Sequence, residues 1–134
     1  NQSEKSKHSL LLGMEAKCRM TEHAFETLGL ERISGGQAAP LRKWQHWQAL
    51  FGYRFEGIAR NGFRKGYKPF DMILSSCLLT DYLALKEMRG GSLWPGAERM
   101  YELIKQLPRE PFSVRMERLM NEEWEKHYTS LCLV

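Results

Sequence analysis

The strongest apolar run in the chain lies at residues 69–88, which read PFDMILSSCLLTDYLALKEM. At the 3.6-residue helical period this run leaves only a thin polar face, formed by Asp71, Ser75 and Asp81. It opens with a proline, which suits the first turn of a helix, and a Gly-Gly pair follows at residues 90–91. A helix that is apolar almost all round is buried, so we predict that residues 69–88 form the central helix of the fold.

Apolar residues recur at helical spacing in other parts of the chain, and glycine or proline stands near the ends of these segments. The segments cover residues 3–28, 40–60, 92–107 and a stretch that begins at Pro111 and includes Trp124. No segment predicts a strand convincingly. We therefore predict an all-α fold, a compact bundle of about five helices in which residues 1–134 form a single domain.

Composition and charge favour a globular protein with one polarised surface. Hydrophobic residues make up 43% of the chain and charged residues 27%, which is typical of a folded domain rather than of a disordered segment. The net charge is only +4, but residues 38–70 carry seven basic side chains and a single acidic one. Positive charge that is concentrated in this way favours an anionic partner.

Cysteine usage and hydropathy predict a cytoplasmic, reducing location. The three cysteines are widely separated and odd in number, which argues against a disulfide framework. No apolar stretch reaches the roughly 18 residues that a membrane span needs, so we expect no membrane association. The polar N-terminal segment does not have the pattern of a signal peptide.

The residues that usually carry catalysis or bind metal show no helpful spacing. None of His8, His23, His46 and His127 has a partner histidine or cysteine one helical turn away, and no Cys-x-x-Cys motif occurs. Cys77 lies in apolar surroundings, which favours a packed thiol over a reactive thiolate. We therefore predict no catalytic residue, no metal and no cofactor, and a protein that is not an enzyme.

Cations and aromatic rings alternate between residues 41 and 70, and this pattern leads to our functional hypothesis. Cations bind phosphates and aromatic faces stack on bases, so the segment is typical of a nucleic-acid-binding surface. We predict a small intracellular nucleic-acid-binding protein, either a regulator or an accessory factor. The residues predicted to contact DNA or RNA are Arg42, Lys43, Arg54, Arg60, Phe63, Arg64, Lys65, Tyr67 and Lys68.

A protein-interaction module is the alternative, because the same cations would also serve an acidic protein partner. The apolar C-terminal tail, residues 131–134, and the number of aromatic side chains favour an adaptor or inhibitor that docks on a larger assembly. Homodimerisation through a helix face is compatible with either hypothesis. A purely structural role for the basic segment also stays open.

Overall fold

The computed structural model describes residues 2–132, and for residue 2 it describes the backbone alone. Asn1 and the last two residues of the predicted apolar tail lie outside the described residues. A 3-10 turn at Ala49–Phe51 links the second helix to the second strand. The elements in chain order are α1 (Gln2–Glu26), β1 (Arg32–Ala38), α2 (Arg42–Gln48), β2 (Arg54–Lys65), β3 (Lys68–Leu78), α3 (Leu79–Met88), α4 (Ala97–Lys105) and α5 (Phe112–Cys132).

The prediction of an all-α bundle is wrong, because the middle of the chain forms an antiparallel sheet. The strand order is β1-β3-β2, so β3 is central and forms hydrogen bonds with a strand on each side. Ser75 of β3 lies opposite Gly35 of β1 and opposite Phe55 of β2. Irregularities in the β2–β3 register occur between Phe55 and Gly57 and between Ala59 and Phe63. The architecture is mixed α/β.

Residues 69–88 divide into a strand and a helix rather than forming one central helix. Within β3 the alternate residues Ile73, Ser75 and Cys77 are buried on one face, while Leu74 and Leu78 on the other face are 37% and 41% exposed and Ser76 between them is 6% exposed. That spacing is the two-residue period of a strand, and the helical interpretation failed because apolar residues also stand on the outer face. The helix begins only at Leu79.

A local hydrogen bond fixes the point where the strand gives way to α3. The backbone N–H of Leu78 donates to Asp81 Oδ2 at 3.0 Å. This is how a carboxylate in the first turn satisfies an amide that the helix itself leaves unpaired. Asp81, predicted as part of the polar face of a long helix, instead marks the start of a short one.

The predicted second helix is also shorter than expected. Helical structure continues from Arg42 only through the 3-10 turn, and Gly52 then adopts a left-handed conformation with φ of 89°. A Cβ atom at residue 52 would lie 3.2 Å from Cys77 Sγ, so glycine is favoured there by both backbone conformation and space. The helices predicted at 3–28 and 92–107 and from Pro111 onward do form, as α1, α4 and α5.

The hydrophobic core lies between α1, the 3-10 turn, the end of β3 and the helices α3 and α4. The rings of Phe25 and Tyr82 stack with centroids 5.1 Å apart, which joins α1 to α3. Arg89 closes one side by donating hydrogen bonds to the backbone oxygens of Leu50 and Leu93. The buried cluster comprises Leu11, Met14, Cys18, Phe25, Leu50, Phe51, Tyr53, Cys77, Tyr82, Leu93 and Met100.

Two of the three cysteines belong to this core. Burial raises the pKa of the Cys18 thiol to about 12 and that of Cys77 to about 11, so both stay protonated and packed. Cys132 is exposed, and none of the three forms a disulfide. Within residues 2–132 no helix has the length and apolar character needed to cross a membrane.

Truncation of Phe51 should test how far the fold depends on the core beneath the 3-10 turn. Phe51 is fully buried, so replacing it with alanine leaves a cavity and should lower the free energy of unfolding by about 3–5 kcal/mol. Urea denaturation followed by circular dichroism measures the change. Tyr67→Ala is the control, because Tyr67 is 99% exposed, and its cost should stay below about 0.5 kcal/mol. Equal losses for the two variants would contradict this packing.

Candidate functional site

A cavity of about 530 Å³ lies between one face of the sheet, α2 and the start of α5. Alternate residues of a strand face the same side, so Ile73 and Ser75 of β3 point toward it together. The cross-strand register adds Gln37 from β1, opposite Ile73, and Phe55 from β2, opposite Ser75. We refer to this space as the sheet cavity.

Gln45 holds the helices around the sheet cavity in place. Its side-chain Nε2 donates to the backbone oxygens of Ala38, the last residue of β1, at 3.1 Å and of Ala39, the next residue, at 2.9 Å. Its Oε1 accepts a hydrogen bond from Ser113 Oγ of α5 at 2.8 Å. One amide of α2 therefore ties the end of a strand to the first turn of another helix.

An aromatic contact strengthens the same junction. The rings of Phe55 in β2 and Phe112 in α5 meet edge to face, with centroids 5.7 Å apart and an interplanar angle of 78°. This geometry is one of the favoured arrangements for two aromatic rings. Both rings line the sheet cavity and give it an aromatic wall, of which Phe112 is 54% exposed.

Three residues that line the sheet cavity carry buried polar atoms without a hydrogen-bond partner. These atoms are Gln37 Oε1, His46 Nε2 and Ser75 Oγ. Ser75 is only 5% exposed. A fourth atom of this kind in the described part of the chain, Tyr82 Oη, lies near Glu26 in the core instead. Buried polar groups are normally satisfied by ordered water or by a ligand, so three of them around one cavity mark it as a candidate binding site.

The sheet cavity is electrically neutral in its interior. Burial lowers the pKa of His46 below its ordinary value of 6.5, so the imidazole is uncharged at pH 7. Two of the charged lining residues form ion pairs: Arg54 pairs with Asp81 at 3.1 Å and Glu110 pairs with Arg118 at 3.0 Å. The third, Arg115, is exposed and forms no ion pair with the described residues. The Arg115 guanidinium lies over the Phe112 ring, 5.8 Å from its centroid.

A second groove, of about 700 Å³, runs beside the outer half of α5. Trp124 and His127 lie there with ring centroids 5.3 Å apart, facing Arg60 and Asp71 of the hairpin. Trp124 is mostly exposed, and no residue of this groove has a buried polar atom without a partner in the described part of the chain. The groove therefore lacks the feature that distinguishes the sheet cavity.

The nine residues predicted to contact nucleic acid do not form one cluster. Arg42 and Lys43 begin α2, and Arg54 begins β2, where it pairs with Asp81. At roughly 3.3 Å per residue, Arg54 lies on the order of 30 Å from Lys65 at the other end of the strand. The distal hairpin does bring six of the nine together: Arg60, Phe63, Arg64, Lys65, Tyr67 and Lys68.

The hairpin explains why cations and aromatic rings alternate in this part of the sequence. Phe63 and Phe70 lie opposite each other on β2 and β3, with ring centroids 6.4 Å apart, and Lys68 Nζ lies 5.2 Å from the Phe70 centroid. Residues 60–68 thus form the solvated end of two paired strands that turn at Gly66, whereas Arg42 and Lys43 lie on α2. Contact of these side chains with nucleic acid or with a protein partner stays a prediction.

Sequence reasoning missed the residues that define the sheet cavity. Gln37 lies between two predicted helices, His46 is considered only as a candidate metal ligand, and Ser75 is predicted on the polar face of a helix. The two adjacent serines at residues 75–76 were the available signal, because neighbouring polar residues in an apolar strand point to opposite faces. Among the described residues no group of histidine, cysteine and acidic side chains could hold a metal ion.

Comparisons with known proteins give a fold likeness but no sequence family. No model of a protein family matches the chain, and no curated protein matches it either. A GCN5-related N-acetyltransferase from Brucella melitensis has a TM-score of 0.54 and 26% identity, over 57% of this chain and 35% of that protein. A structure provisionally described as an acetyltransferase has a TM-score of 0.56 and 25% identity, over 62% of this chain and 43% of that one. Spermidine/spermine N-acetyltransferase SpeG from Vibrio cholerae is less similar, with a TM-score of 0.47 and 24% identity over 49% and 39% of the two chains.

These likenesses contradict three sequence-based predictions. The neighbours have an α/β fold and are acetyltransferases, which argues against an all-α nucleic-acid-binding regulator and against an adaptor. They also argue against the prediction that the protein is not an enzyme. The functional hypothesis was wrong because it rested on the alternation of charges and rings in the sequence, without the knowledge that many of these residues lie on a hairpin. The chain spans less than half the length of each of these neighbours.

Removal of the Gln45 side-chain amide should loosen the junction of α2, β1 and α5. Gln45→Leu loses three hydrogen bonds at a partly buried position, and we expect the free energy of unfolding to fall by about 1–3 kcal/mol. Amide hydrogen exchange should also become faster in the first turn of α5. Ser113→Ala removes only one of the three bonds, so its effect should be smaller. A larger effect for Ser113→Ala would show that Gln45 is not the organising residue.

Stability should depend on pH through His46. The folded-state pKa lies below the unfolded value of 6.5, so the unfolded chain binds the extra proton first as pH falls. The contribution is therefore present above pH 6.5 and is lost as pH decreases from 6.5 through the folded-state pKa. Urea midpoints measured across this range should fall with pH in the wild type and fall less in His46→Phe. NMR titration should give His46 a pKa below its ordinary value of 6.5, and a pKa of 6.5 or higher would refute the burial effect.

Proposed function

We propose that these residues are part of an N-acetyltransferase, an enzyme that moves an acetyl group from a thioester to an amine nitrogen. The observation that carries the proposal is the fold likeness to two acetyltransferase structures, with TM-scores of 0.54 and 0.56 over more than half of this chain. Because the chain spans less than half of either neighbour, the activity is proposed for the full-length polypeptide that carries this sequence.

The reaction sets requirements that the sheet cavity can be compared with. The thioester C–S bond breaks, a C–N amide bond forms, the nitrogen loses a proton and the departing sulfur takes one up. Enzymes raise the rate of such transfers largely by holding the two reactants in the productive orientation. In the proposal the aromatic wall at Phe55 and Phe112 and the polar groups of Ser75 and His46 orient one reactant.

The lining of the sheet cavity does not suit the whole of an acetyl donor such as acetyl-coenzyme A. The nucleotide end of that molecule carries phosphates, which need cations or amide groups that are free to bind them. Arg54 has a carboxylate partner and His46 is neutral, which leaves the exposed Arg115 as the one unpaired cation among the described lining residues for several phosphate charges. We therefore assign the sheet cavity to an uncharged part of a substrate and route no step through the donor's phosphates.

An acetyl-transfer assay on the full-length polypeptide tests the proposal. The enzyme is incubated with acetyl-coenzyme A and a panel of amines comprising a polyamine, a lysine-containing peptide and a peptide with a free N-terminus. Mass spectrometry then detects a new amide of the amine. We expect one class of amine to be acetylated.

A matched pair of variants connects that activity to the sheet cavity. Ser75→Leu fills the cavity from β3 and should lower kcat/KM at least about tenfold, equivalent to roughly 1.4 kcal/mol of transition-state binding. Ser34→Leu places the same side chain on the exposed face of β1 and should leave kcat/KM unchanged. No acetylated product with any amine would contradict the proposed function, and equal losses in the two variants would contradict the role of the cavity.

A further inference from the structure

The unpaired atoms around the sheet cavity define the chemistry of a ligand. Ser75 Oγ can both donate and accept a hydrogen bond, and the neutral His46 ring nitrogen Nε2 can do one or the other. Gln37 carries an amide, which offers an acceptor oxygen and a donor nitrogen on one plane. A ligand that satisfies all three must itself present a donor and an acceptor close together.

Charge narrows the class of ligand further. An ionised group that is moved from water into a cavity without a counter-charge loses hydration that nothing replaces, at a cost of several kcal/mol. Arg54 pairs with Asp81 and Glu110 pairs with Arg118, while Arg115 is exposed. In the described part of the chain, no charged side chain therefore lies among the buried polar atoms to serve as a counter-charge there. The sheet cavity therefore favours a neutral ligand over an anion or an amine cation.

The apolar side chains that line the sheet cavity restrict the shape of the ligand. Phe55 and Phe112 meet edge to face, and Ile73 lies on the same side of β3 as Ser75. Flat apolar groups pack well against aromatic rings. The combination of an aromatic wall with a small set of convergent polar groups is the usual composition of a small-molecule site.

We propose that the sheet cavity binds a neutral carboxamide carried on a planar apolar group. The carbonyl and N–H of the ligand amide form hydrogen bonds with Ser75, His46 and Gln37 after these side chains rotate. The planar group of the ligand lies against Phe55 and Phe112. The inference rests on the proposed function for the role of the bound group in acetyl transfer. Binding itself is measurable without any transfer.

Three probes of nearly the same shape test the proposal on this chain. Benzamide is neutral, benzoate is an anion and benzylamine is a cation at pH 7. NMR titration follows the ring signals of His46 with each probe. We expect benzamide to shift these signals in a saturable manner and to bind at least about tenfold more tightly than either charged probe.

Adjacent serines provide the variant and its control. Ser75→Ala removes one hydrogen-bonding group and should weaken benzamide binding by about threefold to tenfold. Because the hydroxyl is buried without a partner, the unliganded Ser75→Ala protein should be as stable as the wild type or more so. Ser76→Ala changes the next residue, which is equally buried on the opposite face of β3 beside Glu56, and should leave benzamide binding unchanged.

The outcomes separate this inference from the proposed function. Binding of benzoate or benzylamine as tight as that of benzamide would overturn the inference, and so would the absence of His46 shifts with all three probes. Equal weakening by Ser75→Ala and Ser76→Ala would also overturn it. If benzamide fails to bind while the full-length polypeptide acetylates an amine, the inference is wrong and the acetyltransferase proposal stands. If benzamide binds selectively but the full-length polypeptide transfers no acetyl group, the inference stands and the acetyltransferase proposal is wrong.

Discussion

Backbone pairing of β3 with a strand on each side is the constraint on which the rest of the structure depends. Once the chain at residues 68–78 is extended and paired, its side chains must alternate between two faces. Cys77 then enters the core beneath α1 and α3, while Ile73 and Ser75 form part of the sheet cavity. The far end of the same strand carries the exposed basic hairpin. One strand thus places the core, the cavity and the positive surface along a single axis.

Charge is distributed over this framework in two opposite ways. At the hairpin tip the cations are solvated, and water reduces the energetic cost of holding them together. Around the sheet cavity Arg54 and Glu110 form ion pairs, Arg115 is exposed, and burial lowers the pKa of His46 so that its ring is uncharged at pH 7. The second arrangement suits recognition by shape and hydrogen bonding in a low-dielectric space, where an unpaired polar group is expensive and a correctly placed ligand group is correspondingly favourable.

The fold likeness and the site geometry bear on function at different levels. The likeness to acetyltransferases covers 57–62% of this chain and at most 43% of the neighbours, so it supports the proposed type of reaction and says nothing about the substrate. The sheet cavity informs the chemistry of what is bound, because its polar atoms and aromatic wall belong to residues that the structure describes. Fold alone supports many activities, and the residues of the site must decide among them.

Apolar spacing, together with glycine and proline near the ends of the segments, was sufficient to predict α1, α4 and α5. The apolar spacing that ends near Gly29 predicted α1, and the prolines at 108 and 111 separated α4 from α5. The strands were not predictable in this way, because apolar residues such as Leu74 and Leu78 also occupy the outer face of β3 and hide its two-residue period.

The candidate site was less predictable than the strands. Gln37, His46 and Ser75 come from three separate elements, and only the antiparallel register and the packing of α2 on the sheet bring them around one cavity. Helix spacing is encoded over a few neighbouring residues, whereas strand pairing and the cavity arise from hydrogen bonds and contacts between residues far apart in the chain, which the tertiary structure alone decides.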